Sequence, residues 1–225
     1  MVGRLKRLFL MPYEKNQFIR ISDLSQMGSC ETKFVKAIAG ELFPTKAMQI
    51  GSIMHENLAK SQPKMTQEEI VENIQKREEF RITEMPIRDF KLMLSGRIDS
   101  LYFTGKVHMG RNECIVIDSK YSRVPYLTIP TYYMIQLVAY AMAVEHSSTY
   151  GRTCFVSGVR LISRERETHN ITGSVDANRE TLDVCEPHMD ELLRRADELK
   201  SGKAPEHRLF DINKGKWVAC YCRTD

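Results

Sequence analysis

Cys114-Ile115-Val116-Ile117-Asp118-Ser119-Lys120 is the stretch on which the reading of this chain turns. Its β-branched run, Ile115 to Ile117, favours an extended strand over a helix. On a strand, residues two apart share a face. Asp118 and Lys120 therefore project together, while Ile117 and Ser119 point the other way. A carboxylate and an ammonium so placed suit one task. The carboxylate holds a divalent cation, and the lysine stabilises a pentavalent phosphorus or orients an attacking water. Alone, the Asp-x-Lys pattern equally describes a strand end with an incidental ion pair.

The neighbouring segments narrow that choice. Phe90 to Phe103 alternates in polarity, reads as a strand and carries Gly96-Arg97-Ile98-Asp99. Thr104-Gly105-Lys106 reads as the turn that follows it. Pairing this strand with 114–120 brings Asp99 beside Asp118, and two carboxylates can share Mg²⁺ or Mn²⁺. The plainer reading of Asp99 is a turn-capping residue. Gly51-x-x-x-His55 predicts a helical histidine able to reach a metal at the sheet end. Tyr132 to Glu145 predicts a long apolar helix, on which Gln136 and Tyr140, four apart, share a face.

Elsewhere the pattern predicts an N-terminal helix over 21–43, N-capped by Asp23 and stopped by Gly40 and Pro44. Thr66-Gln67-Glu68-Glu69 predicts a capped, charged helix running toward Arg77. Cys154 to Ile162 and Thr168 to Val175 read as strands, and Glu186 to Lys200 as an amphipathic helix with Gly202 at its end. Helices, then strands, then a helix and a strand imply an α/β domain with a mixed central sheet. The chain of 225 residues is long enough for one buried core, so we expect a single domain with its core at about 47–180, joined by the N-terminal helix and by residues 185–225. A net charge of +4 permits nucleic-acid binding without requiring it. No stretch approaches the roughly 20 apolar residues that span a bilayer, and the N-terminal apolar run ending at Pro12 is too short for a secretory leader, so a cytoplasmic location is expected. In that compartment, cysteines at 30, 114, 154, 185, 220 and 222 are expected as thiols rather than disulfides, with Cys114 and Cys154 in the core.

In order and approximate spacing, His55, Gly96-Arg97-Ile98-Asp99, Val116-Ile117-Asp118-Ser119-Lys120 and Gln136-Leu137-Val138-Ala139-Tyr140 resemble the RecB-type branch of the PD-(D/E)XK nuclease superfamily. No proline precedes Asp99, a departure that this branch commonly shows. The resemblance implies a restriction-endonuclease-like core and phosphodiester hydrolysis of DNA with inversion at phosphorus. It implies that His55, Asp99, Asp118 and the backbone carbonyl of Ser119 hold Mg²⁺ or Mn²⁺. Lys120 would position the attacking water, and Gln136 and Tyr140 would brace Lys120 and the DNA backbone.

Ser22-Asp23-Leu24 followed by Cys30 is most similar to the CRISPR-associated RecB-like exonucleases, the fourth Cas family. That similarity implies action on single-stranded DNA or on DNA ends during spacer acquisition, adaptation proteins as partners, and a homo-oligomer as one permitted state. It also implies an iron–sulfur cluster joining the chain ends through Cys30, Cys220 and Cys222, with Cys185 as the fourth ligand if the fold brings it near. Here the C-terminal pair is Cys-x-Cys rather than the family's Cys-x-x-Cys, so a zinc site, a degenerate site and plain buried thiols stand beside the cluster. A viral or host recombination exonuclease shares the same catalytic core, and a DNA-binding scaffold that retains only the fold is the alternative of another class.

Overall fold

The computed structural model describes residues 17–42, 49, 53, 60, 65–147, 154–165 and 168–220. The order of elements is β1 Ile19–Arg20, α1 Ile21–Leu24, α2 Glu31–Ile38, α3 Gln67–Lys76, β2 Glu79–Asp89, β3 Leu94–His108, β4 Arg111–Tyr121, α4 Thr131–His146, β5 Cys154–Arg164, β6 Ile171–Asn178, α5 Arg179–Cys185, α6 Met189–Lys200, β7 Arg208–Asp211 and β8 Lys216–Ala219. The central sheet is mixed. β3 pairs antiparallel with β2 and β4, β4 pairs parallel with β5, β5 pairs antiparallel with β6, and β1 adds a short parallel pair at Leu94. This is the expected α/β architecture.

β4 lies inside the sheet, and Cys114, Val116, Ile117, Asp118 and Ser119 are all buried. A strand covered on both faces needs a continuous apolar run, which explains why 114–117 does not alternate. α4 connects the parallel pair β4 and β5, a connection that requires a crossover. Met134, Ile135, Leu137, Val138, Ala141 and Val144 leave no solvent face along most of this helix. Asp89 fixes the turn after β2 by accepting from the Lys91 and Leu92 amides (2.8 and 3.1 Å), and its other oxygen meets His146 Nδ1 at the end of α4 (2.8 Å).

The expected N-terminal helix is broken. After α1 comes a 3₁₀ turn, Ser25–Gly28, and Cys30 is extended before α2 begins. Gly28 lies against the start of α4, where a Cβ would stand 2.7 Å from Tyr132 Cα, so close packing bends the chain here. Asp23 does not cap; it pairs with Arg20 (2.6 Å). The capping box at Thr66 and Glu69 is present, and α3 ends at Arg77 in the left-handed region.

Three further differences from the sequence reading concern strands. β2 was not anticipated, because Pro86 weakens a strand pattern; among the described residues β2 pairs only with β3, and an outer strand tolerates a proline. Thr104-Gly105-Lys106 is not the turn. β3 runs through it with a shift of register between Phe103 and Val107, and the chain reverses at Met109-Gly110. The tail forms the hairpin β7–β8. The C-terminal helix also starts earlier, at Arg179, and bends through a 3₁₀ turn containing Pro187. The predicted helix over 51–58, with His55, lies outside the described residues.

Candidate active site

The site forms where β3, β4 and α4 meet. The antiparallel register Ser100↔Ile117 puts Asp99 across from Asp118, and the Ser119 amide donates to Asp99 Oδ2 at 2.8 Å. Lys120, two residues along β4, reaches back to both Asp118 oxygens, 3.0 Å to Oδ1 and 2.9 Å to Oδ2. Gln136 Nε2 donates to the same Oδ1 from α4 at 3.3 Å. Thus Asp99, Asp118, Lys120 and Gln136 come together as a strand period of two, a strand pairing and a helix face dictate. Ser119 is buried within β4.

Tyr140 arrives one helical turn after Gln136, and its hydroxyl meets the backbone of Arg97. The neighbouring Gly96 leaves space for its ring. A Cβ at Gly96 would stand 2.7 Å from Tyr140 Cε1 and 3.1 Å from its hydroxyl. Because Tyr140 is buried, it has little room to yield. Gly96→Ala is therefore expected to cost about 1–3 kcal/mol, as overpacking does. Urea unfolding checks this, and an unchanged midpoint would mean that the ring moves freely.

Burial pushes the Asp118 carboxyl up to about 7; Lys120 opposes the rise and Asp99 adds to it. Burial also raises Asp99, against the pull of Lys120. Burial alone would lower the Lys120 ammonium, yet Asp118 and Asp99 hold it above the ordinary lysine range. Burial raises Tyr140 to about 12. The two carboxyl groups lie within hydrogen-bonding reach of each other, so without further positive charge they favour sharing a proton. Asp118 Oδ2 is buried, with the Lys120 ammonium beside it at 2.9 Å. Two adjoining buried carboxylates are a donor set that fits a hard divalent cation.

Two groups at this site went unnoticed in the sequence. Tyr133 places its ring 5.2 Å from Lys120 Nζ. Its spacing of three from Gln136 and seven from Tyr140 was the available signal. Glu84 on β2 is close enough to contribute to the rise of Asp99, and it pairs with Arg97 at 3.4 Å. Its backbone has φ +51°, unusual for a residue other than glycine. Nothing local in the sequence marks it.

The cysteines divide into three sets. Cys114 and Cys154 are buried and adjacent. Cys30 and Cys220 meet, with Sγ atoms 3.1 Å apart. Cys185 does not join them: its thiol contacts Asn213 Oδ1 at 3.7 Å, and burial pushes it up to about 11. Cys222 lies outside the described residues.

Residues 13–224 match the model of the PD-(D/E)XK nuclease superfamily. The search of curated proteins returns no match. Among solved structures, the chain is similar to a candidate exonuclease from Eubacterium rectale, with 16% identity over 85% of this chain and 84% of that one and a TM-score of 0.50, which speaks to the fold. SSO0001 is more distant in shape, with 17% identity over 88% of this chain and 82% of that one and a TM-score of 0.42. With a family match running nearly the whole length and two buried carboxylates and a lysine gathered at the sheet, the chain belongs to the PD-(D/E)XK nuclease superfamily.

Proposed function

We propose that this protein is a divalent-metal-dependent DNA nuclease that hydrolyses phosphodiester bonds, acting as an exonuclease on DNA ends. The observation that carries the reading is the buried Asp99–Asp118 pair with Lys120 against it. Mg²⁺ or Mn²⁺ would supply Lewis-acid polarisation of the scissile phosphate there. Asp99 and Asp118 would hold it with their carboxylates, together with the Ser119 carbonyl and, from outside the described residues, His55. Lys120 would donate to the attacking water or to the phosphoryl oxygens as charge develops. Gln136 holds Asp118 from α4, and Tyr140 braces the site one turn further along the helix.

The meeting of Cys30 with the C-terminal hairpin supports kinship with the CRISPR-associated RecB-like exonucleases, and hence a role in trimming spacer precursors beside adaptation proteins. A recombination exonuclease would use the same chemistry. Co-purification with an integrase favours the first reading.

The test uses the full chain with 5′- and 3′-labelled single- and double-stranded DNA in Mg²⁺, Mn²⁺ or EDTA. We expect cleavage from an end that requires metal. A folded protein that cleaves nothing under any metal would overturn the reading in favour of a DNA-binding scaffold or an enzyme that a partner must activate.

A further inference from the structure

Outside the candidate active site, Cys30, His207 and Cys220 converge, each offering a donor atom within 4.8 Å of the others. Cys30 is fully buried at the start of α2. His207 and Cys220 sit just beyond the paired ends of β7 and β8, where the Cys220 amide donates to the His207 carbonyl at 3.2 Å. They continue the Arg208↔Ala219 register by one pair.

The residues beside these donors hold them in place. Glu31, next to Cys30, accepts from Arg208, next to His207, at 2.6 Å, and from the Glu206 amide at 2.9 Å. Arg195 joins Glu31 from α6. Two stretches distant in sequence are thus fastened within one residue of Cys30 and of His207, and Cys220 is held through its amide bond to the His207 carbonyl. An arrangement held by neighbouring groups loses little freedom on taking up an ion.

The spacing selects among the ligands that thiols attract. Two sulfurs on one tetrahedral zinc, each at about 2.3 Å, stand roughly 3.8 Å apart. The 3.1 Å separation of Cys30 and Cys220 needs only a small opening to reach it. An iron–sulfur cluster ordinarily takes four thiolates. Cys185, the expected fourth, is outside the convergent group, with its thiol on Asn213, and an imidazole stands among the donors instead. Two thiolates and an imidazole are the donors that zinc prefers, and the ion's fourth position is open to water or a further thiol.

We propose that Cys30, His207 and Cys220 bind a single zinc ion that staples the C-terminal hairpin to the start of α2, in place of a four-cysteine iron–sulfur cluster. The proposal does not rest on the nuclease reading. The test purifies the full chain anaerobically with reductant, measures zinc, iron and sulfide per chain, and titrates the metal-free protein with Co²⁺. We expect one zinc, no sulfide, and the thiolate-to-cobalt charge-transfer band of a tetrahedral site, which carboxylate sites do not produce. Zinc displaces the Co²⁺, so competition yields its affinity. His207 is exposed, so His207→Ala is expected to fold, which circular dichroism checks, and to weaken zinc at least about 10- to 100-fold. Cys185→Ser is expected to keep the band. Iron with stoichiometric sulfide, a Cys30–Cys220 disulfide with no metal, metal-free thiols that give no band, or full zinc affinity in His207→Ala would each overturn it.

Discussion

Lys120→Met is expected to lower metal-dependent DNA cleavage by about 10²–10⁴-fold, the range over which a positioned proton donor or charge stabiliser acts. Asp118→Asn is expected to lose at least as much. A second measurement separates their roles. Mn²⁺ that binds only the folded state must raise the melting temperature. Lys120→Met retains Asp99 and Asp118, so its Mn²⁺-induced rise is expected to survive. Asp118→Asn removes an oxygen donor and one negative charge, and its rise is expected to shrink or vanish. The reason lies in the geometry: Lys120 neutralises Asp118 at 2.9–3.0 Å when no metal is bound, so it competes with the cation rather than helping to hold it. Cleavage that survives Lys120→Met at the wild-type rate would remove lysine from the mechanism. A wild-type Mn²⁺ rise persisting in Asp118→Asn would place the metal elsewhere.

Arg195→Met is expected to destabilise the fold by about 3–5 kcal/mol, since it leaves a buried carboxylate short of its main partner. Arg195 donates twice to Glu31, at 2.9 and 2.6 Å, and both side chains are almost fully buried. In this chain that loss corresponds to a fall on the order of 10 °C in Tm. Glu31→Gln is expected to cost less, because Arg195 keeps Glu198 (3.0 Å) and Glu206 (3.5 Å). Burial would raise the Glu31 carboxyl, but hydrogen bonds from Arg195, the Glu206 amide and Arg208 hold it below the usual glutamate range. Its stabilisation is therefore present above the ordinary glutamate pKa and is lost as pH falls through the lowered one. Urea unfolding of Arg195→Met, Glu31→Gln and the double variant measures the coupling. A loss under about 1 kcal/mol for Arg195→Met would show that Arg208 and the Glu206 amide sustain Glu31 without it.

The reach of each residue's physics explains what could be read in advance. Asp118 and Lys120 share a face because a strand repeats every two residues, and Gln136 and Tyr140 share one because a helix nearly repeats every four; both follow from covalent geometry. The β-branched run before Asp118 and the run of Ala, Val and Met after Pro130 were equally plain, because burial on all sides demands an unbroken apolar composition. Those runs carried the α/β architecture and most of the active-site cluster.

The rest depended on partners far away along the chain. Gly28 bends the N-terminal segment because the α4 backbone passes there, and no neighbour in sequence announces it. Pro86 reads as a break until its strand is seen to pair on one side only. Glu84 reaches Asp99 through strand register, while Glu31 finds Arg195 at a separation of 164 residues. Cysteine spacing left Cys185 as a ligand that depended on the fold bringing it near, and exposed histidines are too common for His207 to stand out. Local periodicity states which side chains share a face, whereas which faces meet is settled by the packing of the whole core. Thus the strand with its Asp-x-Lys pair was legible from residues 114–120 alone, but the convergence of Cys30, His207 and Cys220 came only from the docking of the C-terminal hairpin on α2.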